Sequence, residues 1–469
     1  MRRLALLLLL VAATGCLTPA EPDAPEPPVE LPSSWTTGEV PDEFGVTETW
    51  WEDFGDPRLS AVVDTALRDN PSLVAAEARV RQAAAQATIA GAELYPWAGG
   101  GAQSGKATQF IGKSPMAEPT ARYESHGVEL NLSWELDLWA RIRSGEAAAI
   151  ADVEAARAFY HGARNSLAAQ TVKVYLTVIE SERQVRVAVD NLASAEGLLE
   201  RIRDRFGEGL RSALDLKLAE SEVSTARALL TSRQRALDAT KRQLQTLTAR
   251  YPDGATTQAD RLPDSPDRVP AGIPADILAR RPDLVAAERQ YVAAYYRVEE
   301  AEKSLYPRIT LTGSAGLASD ELDDLMSGDF GVWSIVGSLS QPLFQGGRLR
   351  ANIRSAEARR DEQVAEFANA VLSALAEVET SLAADAFLAR QEAEIQGLVE
   401  EAGDSVELSE ERFLSGLSSF LGVLEARRRH FTAQSELLRT RLDRLNSRVD
   451  LYLALGGGFH RSAVEEEAP

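Results

Sequence analysis

The chain has 469 residues, with 71 acidic against 50 basic side chains and a net charge of −21. That balance excludes a nucleic-acid binder, whose phosphate-facing surface must be basic. A single cysteine excludes a disulfide framework and a thiolate zinc site, and the length suits two or three ordinary domains or one elongated body.

Residues 1–15 read as a secretory signal, with Arg2 and Arg3, an apolar core from Leu4 to Ala13, and small residues at Ala13, Thr14 and Gly15. The apolar run is about half of the roughly 20 residues that a spanning helix needs. Cys16 follows directly and resembles the acylated cysteine of a bacterial lipoprotein, although Ala13 stands where leucine is commoner. Acyl chains, at about 0.8 kcal/mol per buried methylene, would hold this end at a bilayer. Residue 17 is leucine, so the aspartate associated with inner-membrane retention is missing. Residues 16–55 are expected to form a lipidated tether, extended over the proline- and acid-rich stretch 20–41.

Asp56-Pro57 and Asn70-Pro71 each set a capping side chain before a proline suited to a first helical turn. They predict helices over about 58–69 and 71–94. Next comes a β-hairpin over 97–137. In it His126, Val128, Leu130, Leu132 and Trp134 share one face, against Gly127, Glu129, Asn131 and Ser133 on the other. From about 140 to 206 the period changes. Ala188, Leu192, Ala195, Leu199, Ile202 and Phe206 form a heptad seam. Such a helix of about 65 residues is roughly 98 Å long. A glycine-containing turn and a returning helix over about 213–249 complete a first repeat, 56–250. A polar linker, 251–274, leads to a second repeat, 275–458. Its hairpin lies at 307–344, its helical hairpin at 347–455, and an acidic tail at 459–469.

The second repeat restates the first. Pro71, Leu73, Val74, Ala75, Ala76 and Glu77 recur as Pro282, Leu284, Val285, Ala286, Ala287 and Glu288, an offset of 211 (71 to 282). Arg205-Phe206 and Gly209-Leu210 recur as Arg412-Phe413 and Gly416-Leu417, an offset of 207 (205 to 412). Copies this long are not solenoid units of roughly 20–50 residues. In the second hairpin Ile309, Leu311, Gly313, Ala315 and Leu317 alternate with Arg308, Thr310, Thr312 and Ser314, and Trp333, Ile335, Gly337 and Leu339 alternate with Ser334, Val336, Ser338 and Ser340.

Strands of about ten residues with one apolar face match transmembrane β-strands. Tyr95, Trp97, Trp134, Trp139, Tyr306 and Phe344 stand at the helix-proximal ends, and Phe110, Tyr123 and Phe330 near the loops, as interfacial girdles would. Four strands cannot close a membrane barrel, and open edges are excluded from lipid. Three chains would supply about twelve strands and leave a lumen, which the helices would continue as a tube. The four histidines, His126, His161, His430 and His460, lack ligand spacing. Neither a phosphate-binding glycine loop nor a nucleophile elbow occurs. Hence no enzyme, cofactor or metal is expected. The acids Asp320, Glu321, Asp323, Asp324 and Asp329 read as a solvated loop.

The run Ile273-Pro274-Ala275-Asp276-Ile277-Leu278-Ala279-Arg280-Arg281-Pro282-Asp283-Leu284 resembles the hallmark of outer-membrane efflux lipoproteins of the NodT/OprM type, within the TolC-like superfamily. Trp50, Phe54, Asp56-Pro57 and Leu59 resemble its N-terminal pattern, and Arg412-Phe413, Gly416 and Leu421 to Glu425 its tip motif. The resemblance implies an α+β membrane protein. Its homotrimer would build a twelve-stranded outer-membrane β-barrel, four strands per chain, continued by a long periplasmic α-helical coiled-coil barrel. It implies a passive exit duct for small toxic compounds in a Gram-negative bacterium, working with a periplasmic adaptor and an inner-membrane transporter. On the same ground Glu425 is the tip acid and Leu421 or Leu424 the apolar constriction of a periplasmic gate. Gly422 stands where some relatives carry a further aspartate, and Ser418 where some carry a gating arginine. Arg211 and Asp215 of the first half are candidates to pair with second-half groups. The tip turns, with Arg205, Phe206, Gly209, Leu210, Arg412, Phe413, Gly416 and Leu417, are expected to meet the adaptor. A duct for secreted proteins and a periplasmic coiled-coil scaffold are the alternatives.

Overall fold

The computed structural model describes residues 19–36, 45–110, 112, 120–255, 261–266, 269, 271–326 and 331–465. Cys16, the signal segment, Asp329, Phe330 and nearly all of the first hairpin loop lie outside them. The helices longer than one turn are α1 (Pro57–Asp69), α2 (Pro71–Ala92), α3 (Arg141–Gly207), α4 (Ala213–Leu247), α5 (Pro282–Lys303), α6 (Arg348–Leu414) and α7 (Phe420–Ala454). The long helices α3 and α6 both have 67 residues, and the returning helices α4 and α7 both have 35. Their ends keep the offset of 207 (141 to 348, 247 to 454), so every position of α3 and α4 has a numbered counterpart in α6 and α7.

Two compact units form, and neither is a sequence repeat. One takes 79–156 and 286–367 with the described part of 1–26; the other takes 27–78, 157–285 and 368–469. Each repeat therefore gives its β-hairpin and the start of its long helix to the first unit, and the rest of its helical hairpin to the second.

The first unit holds one antiparallel sheet in the order β1 (Trp97–Phe110), β2 (Thr120–Leu136), β3 (Arg308–Ser319), β4 (Gly331–Ser340). Across the repeat junction Val128 faces Leu317, Trp134 faces Leu311 and Leu136 faces Ile309. Onward, Ile309 faces Leu339 and Ala315 faces Trp333. The pleat alternates side chains, so this register gathers the leucines and isoleucines of the strands, with Val128, Trp134 and Trp333, on one face. The other face carries Asn131, Ser133, Thr312 and Ser314, and the Ser314 and Ser334 hydroxyls are 2.8 Å apart. The first hairpin is longer than the ten residues expected per strand, with 14 in β1 and 17 in β2. Beyond Val128 its apolar side turns polar. His126 meets Ser104 at 2.9 Å and Lys106 pairs with Glu124. The backbone ladder continues there because pairing needs no apolar face. At the helix-proximal end the Trp134 indole donates to the Leu94 carbonyl and the Trp139 indole to Pro307, each at 2.8 Å. Beside the sheet, Ala148 and Ala151 of α3 pack against Val292, Ala293 and Tyr296 of α5.

The second unit corrects the tether expected over 16–55. Trp35 is buried and its indole donates to the Ala271 carbonyl at 3.3 Å; Thr36 donates to Glu379 through its amide and its hydroxyl, both at 2.9 Å. Trp50, Trp51 and Phe54 form a buried 3₁₀ turn. Trp50 stacks on Tyr452, with ring centroids 5.1 Å apart, and the Tyr452 hydroxyl donates to Asp53 at 2.6 Å. Prolines and acids make this stretch polar on average. Yet each buried aromatic contributes about 1.5–3 kcal/mol, enough to dock the chain wherever one occurs.

The Arg280-Arg281-Pro282-Asp283 run has a structural task in the same unit. Arg281 is buried and pairs with Asp283 and with Glu377 of α6, both at 2.7 Å; it also donates to the Ala454 carbonyl that ends α7. One guanidinium thus joins the start of α5 to α6 and α7. A planar fork with five donors suits such a junction.

Candidate functional site

Both long helices end in the same backbone device. The Leu210 amide donates to Arg205 at 2.8 Å and the Gly209 amide to Phe206 at 3.0 Å; Leu417 donates to Arg412 at 2.8 Å and Gly416 to Phe413 at 2.9 Å. These paired bonds define a Schellman motif, which requires a left-handed residue. Gly209 and Gly416 supply it at φ of 74° and 79°.

The helix starts beyond the two turns differ. Ser212 caps α4 through a reciprocal box: its hydroxyl accepts from the Asp215 amide at 3.2 Å, and Asp215 accepts from the Ser212 amide at 3.3 Å. Asp215 therefore closes its own helix end and does not join a second-half group. In the second half Gly422 occupies the matching position, and Ser419 makes no side-chain cap.

The two tips of one chain pack together. Leu198, Ile202 and Ala219 meet Phe413, Phe420 and Val423 in a buried cluster, with Leu424 packed against it. The Phe413 and Phe420 rings lie 5.2 Å apart. Arg211 sits 3.9 Å above the Phe413 ring and donates to the Phe413 carbonyl, while Arg205 donates to the Leu414 carbonyl. Cations belong at a helix C-terminus, where the last carbonyls carry partial negative charge. Arg205 and Arg211 thus fasten the first tip to the end of α6.

Phe413 is 1% exposed and Phe206 40%. Phe413 is accordingly removed from the surface set expected to meet an adaptor; it is core. Phe206, Leu210, Arg412, Leu417 and the two glycines remain at the surface. Leu421 is exposed, whereas Leu424 braces the tip core, so Leu421 is the one free to line an opening. Glu425 accepts from Arg428 and Arg429, its own helix neighbours, each at 2.8 Å. Those hydrogen bonds hold its carboxyl below the ordinary range.

Sequence reasoning missed a second fastening above the tip. Glu410 accepts from Arg427 at 3.0 Å and from Arg201 at 3.1 Å, and buried Arg427 also reaches Ser194. This group joins α3, α6 and α7. Its signal was present: Arg427 continues the spacing of Phe420 and Val423, so a charge stands on the apolar stripe. A groove of about 700 Å³ runs beside it between α6 and α7, past Leu398, Ala402, Gly422 and Glu425.

A four-stranded sheet with an apolar face and two open edges, in one chain with paired helical hairpins that end in matched tips, is the protomer of an outer-membrane channel. The chain belongs to the outer membrane efflux protein family, whose model matches residues 62–260 and 273–457. It is 32% identical over 462 residues to the toluene efflux pump outer membrane protein TtgF of Pseudomonas putida, covering 96% of both chains. It is 32% identical over 459 residues to the pyoverdine export outer membrane protein OpmQ of Pseudomonas aeruginosa, covering 96% of this chain and 95% of the relative. Among solved structures, the Campylobacter jejuni CmeC outer membrane channel superposes with a TM-score of 0.89 at 26% identity, over 97% of this chain and 98% of that one. The fold is that of the trimeric outer-membrane efflux channels, with a β-barrel shared among chains and a periplasmic helical extension.

Proposed function

We propose that this efflux channel is the passive exit duct of a tripartite pump for small toxic compounds, and that it opens at the helix tips when an adaptor and an inner-membrane transporter dock. The observation that carries the gate is the fastening of the first tip onto the end of α6 by Arg205 and Arg211, with Leu421 free beside it. In this reading Leu421 narrows the opening, Glu425 sets its charge, and Phe206, Leu210, Arg412 and Leu417 meet the adaptor. The chain conducts and does not catalyse. Cys16 carries the acyl chains that anchor it. Relatives named for toluene, solvent and antibiotic efflux support small apolar and amphiphilic cargo.

The test is dye and solvent accumulation in a strain lacking the protein, with total secreted protein assayed in parallel. Raised accumulation with normal secretion is expected. Normal accumulation with lost secretion would move the protein to the secretion branch. For the gate, Glu425→Ala is expected to raise single-channel conductance, and an unchanged value would remove Glu425 from it.

A further inference from the structure

The register of the sheet separates its two faces residue by residue. Leu and Ile at 132, 309, 311 and 335, with Trp at 134 and 333, lie on one face, which meets lipid in a barrel. The opposite face is therefore luminal. Its side chains are glycine, alanine, serine, threonine, valine, asparagine and glutamine, with Trp97 and Tyr123 towards the ends of the first hairpin. Among the described strand residues only three on this face are charged: Glu129, Glu135 and Arg308. Glu135 is neutralised by Arg141 at 3.0 Å. Arg308 is the first residue of β3, at the same helix-proximal end.

Glu129 is different. It stands partway along β2, opposite Gly101 on β1 and Gly316 on β3. Neither neighbour has a side chain to cover it. At Gly316 none would fit, because a Cβ there would lie 2.1 Å from the Val128 carbonyl. Glu129 has no hydrogen-bond or ion-pair partner among the described residues. On the outer face Lys106 and Glu124 pair with each other and do not enter the lumen.

We propose that Glu129 determines the charge selectivity of the barrel. Three chains place three such carboxylates at one level of the lumen, where the neighbouring described strand positions are neutral and Arg308 lies apart at the helix-proximal end. An unpaired carboxylate ring raises the local cation concentration and repels anions. Cationic solutes then leave more readily than anionic ones of the same size.

The test is the reversal potential of the full-length trimer in planar bilayers under a potassium chloride gradient. Glu129→Gln keeps the shape and removes the charge; Glu129→Ser copies the hydroxyl lining and guards against misfolding of the first variant. Both are expected to lower the potassium-to-chloride permeability ratio at least about twofold near 0.01 M salt. The difference should vanish near 1 M, where screening acts within about 3 Å. Glu124→Gln should leave the ratio unchanged. A wild-type ratio in both Glu129 variants at every salt concentration would overturn the proposal. So would an unchanged ratio there with a loss in Asp323→Asn/Asp324→Asn, which would move selectivity to the loop.

Discussion

The two helix tips, RFGEGL and RFLSGL, share a backbone and differ in almost everything their side chains do. Both end a 67-residue helix with the same paired hydrogen bonds and a left-handed glycine. In the first tip Phe206 is exposed, Arg211 reaches across, and a capping box closes the next helix. In the second, Phe413 is core, Ser418 replaces the arginine, and Gly422 leaves the following helix without a box. The local device depends on a few residues and so survives duplication. The packing depends on which tip surrounds which, so one copy holds and the other is held.

The largest effect that would break this comparison is in the phenylalanines. Phe413→Ala should cost about 3–5 kcal/mol of tip stability, as buried aromatics do. Phe206→Ala should cost less than about 1 kcal/mol. Hydrogen exchange at the tip amides measures both, and equal losses would end the inequality. Next comes Arg211→Ala, expected to cost about 2 kcal/mol through a charged hydrogen bond and a cation–π contact. It should loosen the end of α6 in the same experiment, and protection unchanged there would show that the fastening is decorative. Smaller still is the cap. Ser212→Ala should cost about 1 kcal/mol, while Ser419→Ala should be silent because its hydroxyl caps nothing. Thermal unfolding of the two variants separates them.

Changes in pH extend the inequality along the helices. Glu180 of α3 matches Phe387 of α6 at the offset of 207; Phe387 is exposed, whereas Glu180 is partly buried and accepts from Gln184 at 2.7 Å. Burial raises the Glu180 carboxyl above its ordinary 4.5. A raised folded-state value means that the folded protein binds the proton more tightly than the unfolded chain. Ionised Glu180 therefore destabilises at neutral pH, and that penalty fades as pH falls through the raised value and is gone below 4.5. Glu180→Gln should raise the melting temperature slightly at pH 7 and leave it unchanged below pH 4.5. A gain of equal size at both pH values would show a packing effect instead.

Much of this architecture is legible in the residues because its causes are local. The seam through Leu192, Leu199 and Ile202 specifies a helix wherever it occurs, and alternation at Val128, Leu130 and Leu132 specifies a strand with one apolar face. The tip turns are legible for the same reason, since Gly209 and Gly416 act within six residues. Composition misled at the N-terminus, where averaging over the prolines and acids of 20–41 hid the docking of Trp35. Glu425 could be named from its motif, but that Arg428 and Arg429 both hold it could not.

The sequence by itself determined the duplication, the helix and strand types, the apolar face of each hairpin and the resemblance to efflux channels. All of these rest on periodicities and motifs within single segments. Tertiary structure alone decided which Phe of an identical Arg-Phe pair is core, that Arg281 and Glu410 are junctions of three elements, and that Glu129 stands between two glycines. Each of those depends on contacts between residues far apart in the chain or on the register between separate strands, where a shift of one residue reverses every side chain.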